Sequence, residues 1–258
     1  MQVSETTANA EPTQLRGHRA DRARRVADIL RHQILAGAVQ GTLPGEQELA
    51  AEHGTSRNTV REALALLRDE GLIDRAPKVG TRVAARKFDH GLDTLRGLQE
   101  TLTEHGTVRN EVRAATHITA PPAVVRRLGL APGERVVYIE RLRFLAELPL
   151  SLDLTYLAPD VGAAVLAHDL ATTDVFVLLE QVTGHSLGAA ELALEAVAAD
   201  PHTATTLDTP PGAPLLMLER LTHLDDGRPV DLEYIRMRGD RITMRGSLTR
   251  GAPEWKVL

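Results

Sequence analysis

From Asp21 onward, apolar residues fall on one face of a helix: Val26, Ile29, Leu30, Ile34 and Leu35 recur at spacings of three, four and one, and Gly37 closes the run. After a loop holding Gly41 and Pro44, the segment Glu46 to His53 predicts a short second helix with Leu49 and Ala50 inward, stopped by Gly54. Ser56 offers a capping hydroxyl to a third helix, in which Val60, Ala63, Leu64 and Leu67 stand at i, i+3, i+4 and i+7. Leu72 to Arg75 and Arg82 to Ala85 are β-compatible and separated by six residues, so they predict a hairpin. Three helices and a hairpin make a winged helix-turn-helix. The tight Gly54-Thr55 junction is its strongest single sign, because the two helices need a short turn to meet at the required angle.

Beyond residue 107 the pattern changes to strands. Val108 to His117, Glu134 to Ala146, Pro149 to Leu157, Leu187 to Ala199, Leu215 to Asp225, Arg228 to Met237 and Arg241 to Leu248 are β-compatible. Several alternate polar and apolar residues, as in Ser151-Leu152-Asp153-Leu154-Thr155, which predicts an antiparallel sheet with one covered face. Helix starts stand at Pro121-Pro122, at Thr172-Thr173 ahead of Val175 to Glu180, and at Asp200-Pro201. The expected organisation is a tail over residues 1–18, a winged helix over 19–86, a linker over 87–107 carrying Leu92, Leu95, Leu98 and Leu102 at helical spacing, and an α+β domain over 108–258.

Composition is ordinary for a globular chain, with 43% hydrophobic and 25% charged residues over 258 positions. No apolar run reaches the length of a membrane span, the first residues lack the pattern of a secretory signal, and there is no cysteine for disulfide or thiol chemistry. A cytoplasmic protein without cofactor or structural metal is expected. The net charge of −5 looks unsuited to nucleic acid until it is divided. Pro12 to Lys87 carry 14 basic against 9 acidic residues, and Phe88 to the end carry 16 against 24. A basic first domain joined to an acidic second points to nucleic acid at one end only, the alternative being a chance segregation of solvated charge.

On the third helix, the face opposite Val60, Ala63 and Leu67 presents Arg57, Asn58 and Arg61, with Ser56 and Thr59 at its N-terminal end. Arginine can grip guanine and asparagine adenine in bidentate fashion, and hydroxyls hold phosphates. For an isolated helix a solvated basic face is the simpler explanation; a turn before it and a wing after it favour recognition. Leu43-Pro44-Gly45-Glu46-Gln47-Glu48-Leu49-Ala50, Ser56-Arg57-Asn58-Thr59-Val60-Arg61-Glu62-Ala63-Leu64, Glu70-Gly71-Leu72-Ile73 and Gly80-Thr81-Arg82-Val83 together resemble the GntR family of bacterial transcription regulators. The resemblance implies DNA contacts by Ser56, Arg57, Thr59 and Arg61 and by the hairpin at Lys78, Gly80 and Thr81. Gln47 stands where the family usually has arginine, and Lys78 where it commonly has glycine, so a weaker contact is expected at the first and a different wing tip at the second.

In the second half, Val136 to Arg143, Pro149, Asp225-Asp226-Gly227-Arg228-Pro229-Val230-Asp231 and Arg238-Gly239-Asp240-Arg241 resemble the UTRA effector domain of the HutC subfamily. That resemblance implies an α+β, chorismate-lyase-like fold, a homodimer, and a small-molecule cleft whose occupancy changes DNA affinity. Arg141 and Arg143 match paired arginines that bind acidic groups in relatives. At i, i+2 on a strand they share a face and can clamp an anion, or else stand exposed to balance Glu140 and Asp153. Asp153 and Asp231 match positions that accept ligand hydrogen bonds. Asp174 and Phe176 stand where sugar-phosphate-binding members have Ser-x-Tyr. A carboxylate there repels phosphate, so the expected effector is not phosphorylated. Two other functions compete: a constitutive DNA-binding protein whose second domain only dimerises, and a lyase-like enzyme, which no triad, metal spacing or phosphate loop supports.

Overall fold

The computed structural model describes residues 12–76, 80–84 and 87–249. It divides into two compact units, Met1–Lys87 and Phe88–Leu258. In the first unit, α1 (Pro12–Leu35), α2 (Glu46–Glu52) and α3 (Arg57–Asp69) are followed by β1 (Ile73–Ala76) and β2 (Gly80–Val83), paired antiparallel. The helix begins at Pro12, so residues 12–18, expected in the tail, are helical. Proline suits the first helical position, and Gln14, Leu15, Arg16, Arg19 and Ala20 are good helix formers whose lack of apolar periodicity hid the helix.

Val26, Leu30 and Ile34 of α1, Leu49 of α2, and Val60, Ala63, Leu64 and Leu67 of α3 are buried together in one core with Leu72 and Ile73. The periodicity of all three helices is explained by that core. Arg31 Nε donates to Glu70 Oε2 at 2.7 Å and ties α1 to the end of α3. Gly54 sits at φ +57°, the left-handed conformation the α2–α3 turn requires. Ser56 caps α3 by accepting from the Thr59 amide at 3.2 Å. Ser56→Ala should therefore cost about 1 kcal/mol, read as a lower melting temperature of the N-terminal unit.

In the second unit, six strands form an antiparallel sheet in the order β4 (Val108–Thr119), β5 (Arg135–Leu145), β6 (Leu148–Leu157), β9 (Pro229–Arg238), β8 (Pro214–Leu224), β7 (Leu187–Ala198). The expected linker is part of this unit. It contains β3 (Phe88–Gly91), paired parallel with β10 (Ile242–Arg245), then α4 (Leu98–Leu102) and a 3-10 turn, Thr103–His105. Leu98 and Leu102 are buried against the sheet, so the leucine spacing records packing rather than a free connecting helix. α6 (Pro159–Val165), which the sequence pattern did not announce, packs with α7 (Val175–Thr183) on the same face. The other face is covered by α5 (Pro122–Leu128) and α8 (Pro201–Thr206). The expectation of one covered face is therefore corrected: helices lie on both.

That coverage positions the site. On the face under α6 and α7, Val137, Ile139, Leu157 and Leu224 make one apolar cluster. Leu145, Leu150, Leu218, Ile235 and Met237 make another under α4. Between the two clusters the inward positions are polar. Arg143 lies opposite Ser151, Arg141 opposite Asp153, Thr155 opposite Glu233, Glu233 opposite Arg220, and Asp231 opposite Thr222.

Candidate functional site

Two sites stand out, one in each unit. In the first, Ser56, Arg57, Asn58 and Arg61 are exposed on α3, and Gln47 is exposed on α2. Thr59, expected on the same face, is 3% exposed and shares a 2.9 Å hydrogen bond with the Ser56 hydroxyl; its side chain serves the cap. Glu46 accepts from Arg61 Nε at 2.7 Å and lies 3.8 Å from Arg57 Nη2, so one carboxylate orients both arginines. Gly80 and Thr81 of the wing flank a groove of about 630 Å³ that Arg61, Arg68 and Arg75 also line. Arg75 escaped sequence reasoning because only the return of β1 beside α3 brings it to this groove, whereas Arg68 follows Arg61 along the same face of α3. Lys78 lies outside the described residues.

The second site is the polar band of the sheet. Arg141, Arg143, Asp153 and Asp231 are 1%, 2%, 0% and 0% exposed. This excludes the exposed balance with Glu140, which instead accepts from Arg113 Nε at 2.9 Å. Arg143 donates to Asp153 Oδ2 through Nη2 at 2.7 Å and Nε at 3.2 Å, and Ser151 Oγ donates to Asp153 Oδ1 at 2.6 Å. Arg220 donates through Nε to Glu233 Oε2 at 2.9 Å, and also through Nη2. Its guanidinium lies 4.3 Å from the centre of the Phe176 ring. Asp174 caps α7 by accepting from the Phe176 amide at 3.0 Å.

The band is walled by the segment that follows β3. Arg220 Nη1 donates to the Arg96 carbonyl at 3.3 Å, and a Cβ at Gly97 would fall within 3 Å of the Asp174 carboxylate, so only glycine fits that approach. Charges in the band set each other's protonation. Burial acts most strongly on Asp153, yet Arg143 and Arg141 outweigh it and hold the carboxyl below its ordinary range. Burial first, and then the charge of Glu233, push Asp231 well above that range. His90 is held down to about 4 by burial and then by Arg220 and Arg143, so it is neutral at neutral pH.

Arg141, Arg143, Asp153, Asp174, Phe176 and Asp231, all singled out from the sequence, are thus buried in one region of one sheet face and the helix over it. Arg220 and Glu233 were missed. Their signal was alternation inside β8 and β9, Arg220-Leu221-Thr222 and Asp231-Leu232-Glu233, which reads as outward polar positions unless both faces are known to be covered.

A winged helix with a basic reading face, joined to a separate second domain, is the arrangement of a DNA-binding regulator. The comparisons agree. The model of bacterial regulatory proteins of the gntR family matches residues 22–83, and that of the UTRA domain matches 103–243. The HTH-type transcriptional regulator Rv0792c of Mycobacterium tuberculosis is 31% identical over 88% of this chain and 86% of that protein. The HTH-type transcriptional repressor NagR of Bacillus subtilis is 28% identical over 84% and 90%. The histidine utilization repressor of Pseudomonas aeruginosa is 28% identical over 77% and 80%. The crystal structure of PhnF from Mycobacterium smegmatis shares the fold, with a TM-score of 0.61 over 88% of this chain and all of that one at 22% identity. The chain belongs to the GntR family, of HutC type with a UTRA domain, and is a DNA-binding transcription regulator rather than an enzyme.

Proposed function

We propose that the protein is a homodimeric repressor that works in the cytoplasm and leaves its operator when a small, unphosphorylated effector enters the polar band. The observation that carries this is the unpaired buried polarity of the band. Arg141 Nε and Nη1, Arg143 Nη1, Asp174 Oδ2 and both oxygens of Asp231 are buried without hydrogen-bond partners. More than nine in ten buried polar groups in native proteins are paired, so a cluster of exceptions marks a place kept for another molecule. Asp174 argues against phosphate there. Ser56, Arg57, Asn58, Arg61, Gln47 and the wing residues Gly80 and Thr81 supply the DNA contacts, and the names of the relatives, repressors among them, support the direction of regulation.

The coupling is physical. The segment that continues from the winged helix at Lys87 forms β3 and α4 and lies on the band through Arg96 and Gly97. A ligand that fits one position of that segment better than another shifts the chain leading to the DNA-binding unit; equal affinity for both positions would shift nothing. In a reporter strain carrying the gene's own promoter, wild-type protein should repress until effector accumulates, whereas Arg141→Ala should repress throughout. Induction of the variant equal to wild type would remove the band from the mechanism.

Glu46→Gln should raise affinity for unrelated duplexes severalfold, because it removes a negative charge beside the phosphates and releases Arg57 and Arg61. The same change should narrow the gap between operator and scrambled DNA in a fluorescence anisotropy titration at fixed salt.

A further inference from the structure

The unpaired atoms of the band are of two opposite kinds. Arg143 with Asp153 and Arg220 with Glu233 are closed pairs, and what remains is the Arg141 guanidinium with one corner of Arg143 on one side and Asp231 and the free oxygen of Asp174 on the other. Each remainder is costly when buried, and a partner of either sign alone satisfies only half of it. A phosphate or a dicarboxylate would meet Arg141 and Arg143 but bring a second anion beside Asp174 and Asp231. A simple amine would meet the carboxylates and leave the guanidinium bare. Thr222, across from Asp231, is near enough to draw its carboxyl down a little, but no hydrogen bond of normal geometry reaches either oxygen. His90 is neutral and adds no further cation to the balance.

Resting on the reading of this band as the effector site, we infer that the effector is a small amphoteric molecule. It carries a carboxylate for Arg141 and Arg143 and a protonated amine for Asp231 and Asp174.

The test is a titration of the full-length protein, by calorimetry and by thermal shift, with the common α-amino acids, β-alanine, 4-aminobutyrate and 5-aminovalerate. Matched monocarboxylates, hydroxy acids, amines, dicarboxylates and inorganic phosphate serve as controls. At least one amino acid should bind saturably and raise the melting temperature. Its analogue lacking the amine and its analogue lacking the carboxylate should each bind roughly 100-fold more weakly, because each leaves one set of buried groups unpaired. Arg141→Ala should abolish the binding, and so should Asp231→Asn, which relieves a buried charge and keeps the fold. Tighter binding of phosphate or a dicarboxylate, or no binding by any amino acid in the panel, would overturn the assignment. A cell extract that releases wild type but not Arg141→Ala from promoter DNA, with the panel silent, would overturn only the ligand class. Release that Arg141→Ala does not alter would overturn the effector site with it.

Discussion

Asp153→Ala should destabilise the C-terminal unit by about 3–5 kcal/mol, while Asp231→Asn, on the neighbouring strand and equally buried, should stabilise it. The contrast follows from pairing. Removing Asp153 leaves Arg143 charged in the interior and Ser151 without its acceptor. Removing the charge of Asp231 breaks no ion pair and no hydrogen bond of normal geometry, and costs only a weak interaction with the Thr222 hydroxyl. The pH dependence has opposite signs at the two positions. Asp153 titrates below its ordinary value of 3.8 in the folded state, so its contribution is complete above that pH and is lost as pH falls further. Asp231 titrates well above 3.8, so its charge becomes a growing cost as pH rises from about 4 through the folded value. Melting curves of the two variants and wild type from about pH 2 to pH 8 check both signs. The advantage of Asp231→Asn should vanish near pH 4 and grow toward neutrality, at about 2–4 °C for each kcal/mol. A uniform destabilisation by Asp231→Asn would show that the carboxylate is paired in the folded protein.

Arg57→Ala should cost about 1–3 kcal/mol on the operator, roughly five- to 150-fold, and relax the base preference at one position of each half-site. Selection of bound sequences from a randomised pool would show which position. Lys78→Ala should instead weaken operator and unrelated duplex alike, as a phosphate contact does. Arg57 binding all variants of the site with the wild-type profile would move it to the backbone class.

The winged helix was legible because local signals agreed there. Ser56, Gly54 and the spacing of Val60, Ala63, Leu64 and Leu67 each fix a boundary or a face without help from distant residues. The start of α1 was not, since a run of good helix formers without apolar periodicity leaves no such mark. The buried band was half legible. Arg141, Arg143, Asp153 and Asp231 came from family resemblance, whereas Arg220 and Glu233 needed the register of β8 on β9 and the knowledge that α6 and α7 close that face. Nor does spacing along a chain reveal that Gly97, expected in a linker, would lie against Asp174, or the Arg96 carbonyl against Arg220. Such contacts are tertiary, and only the fold supplies them.

The central claim is that this chain binds a specific promoter and that a metabolite in the polar band controls that binding. It is tested most directly by titrating the protein against the promoter region of its own gene, with and without small-molecule extract from the same cells. Tight binding that unrelated DNA does not match, weakened tenfold or more by the extract, is the predicted result. Specific binding that no extract alters would contradict the sensing half of the claim, and binding equal on all sequences would contradict the rest.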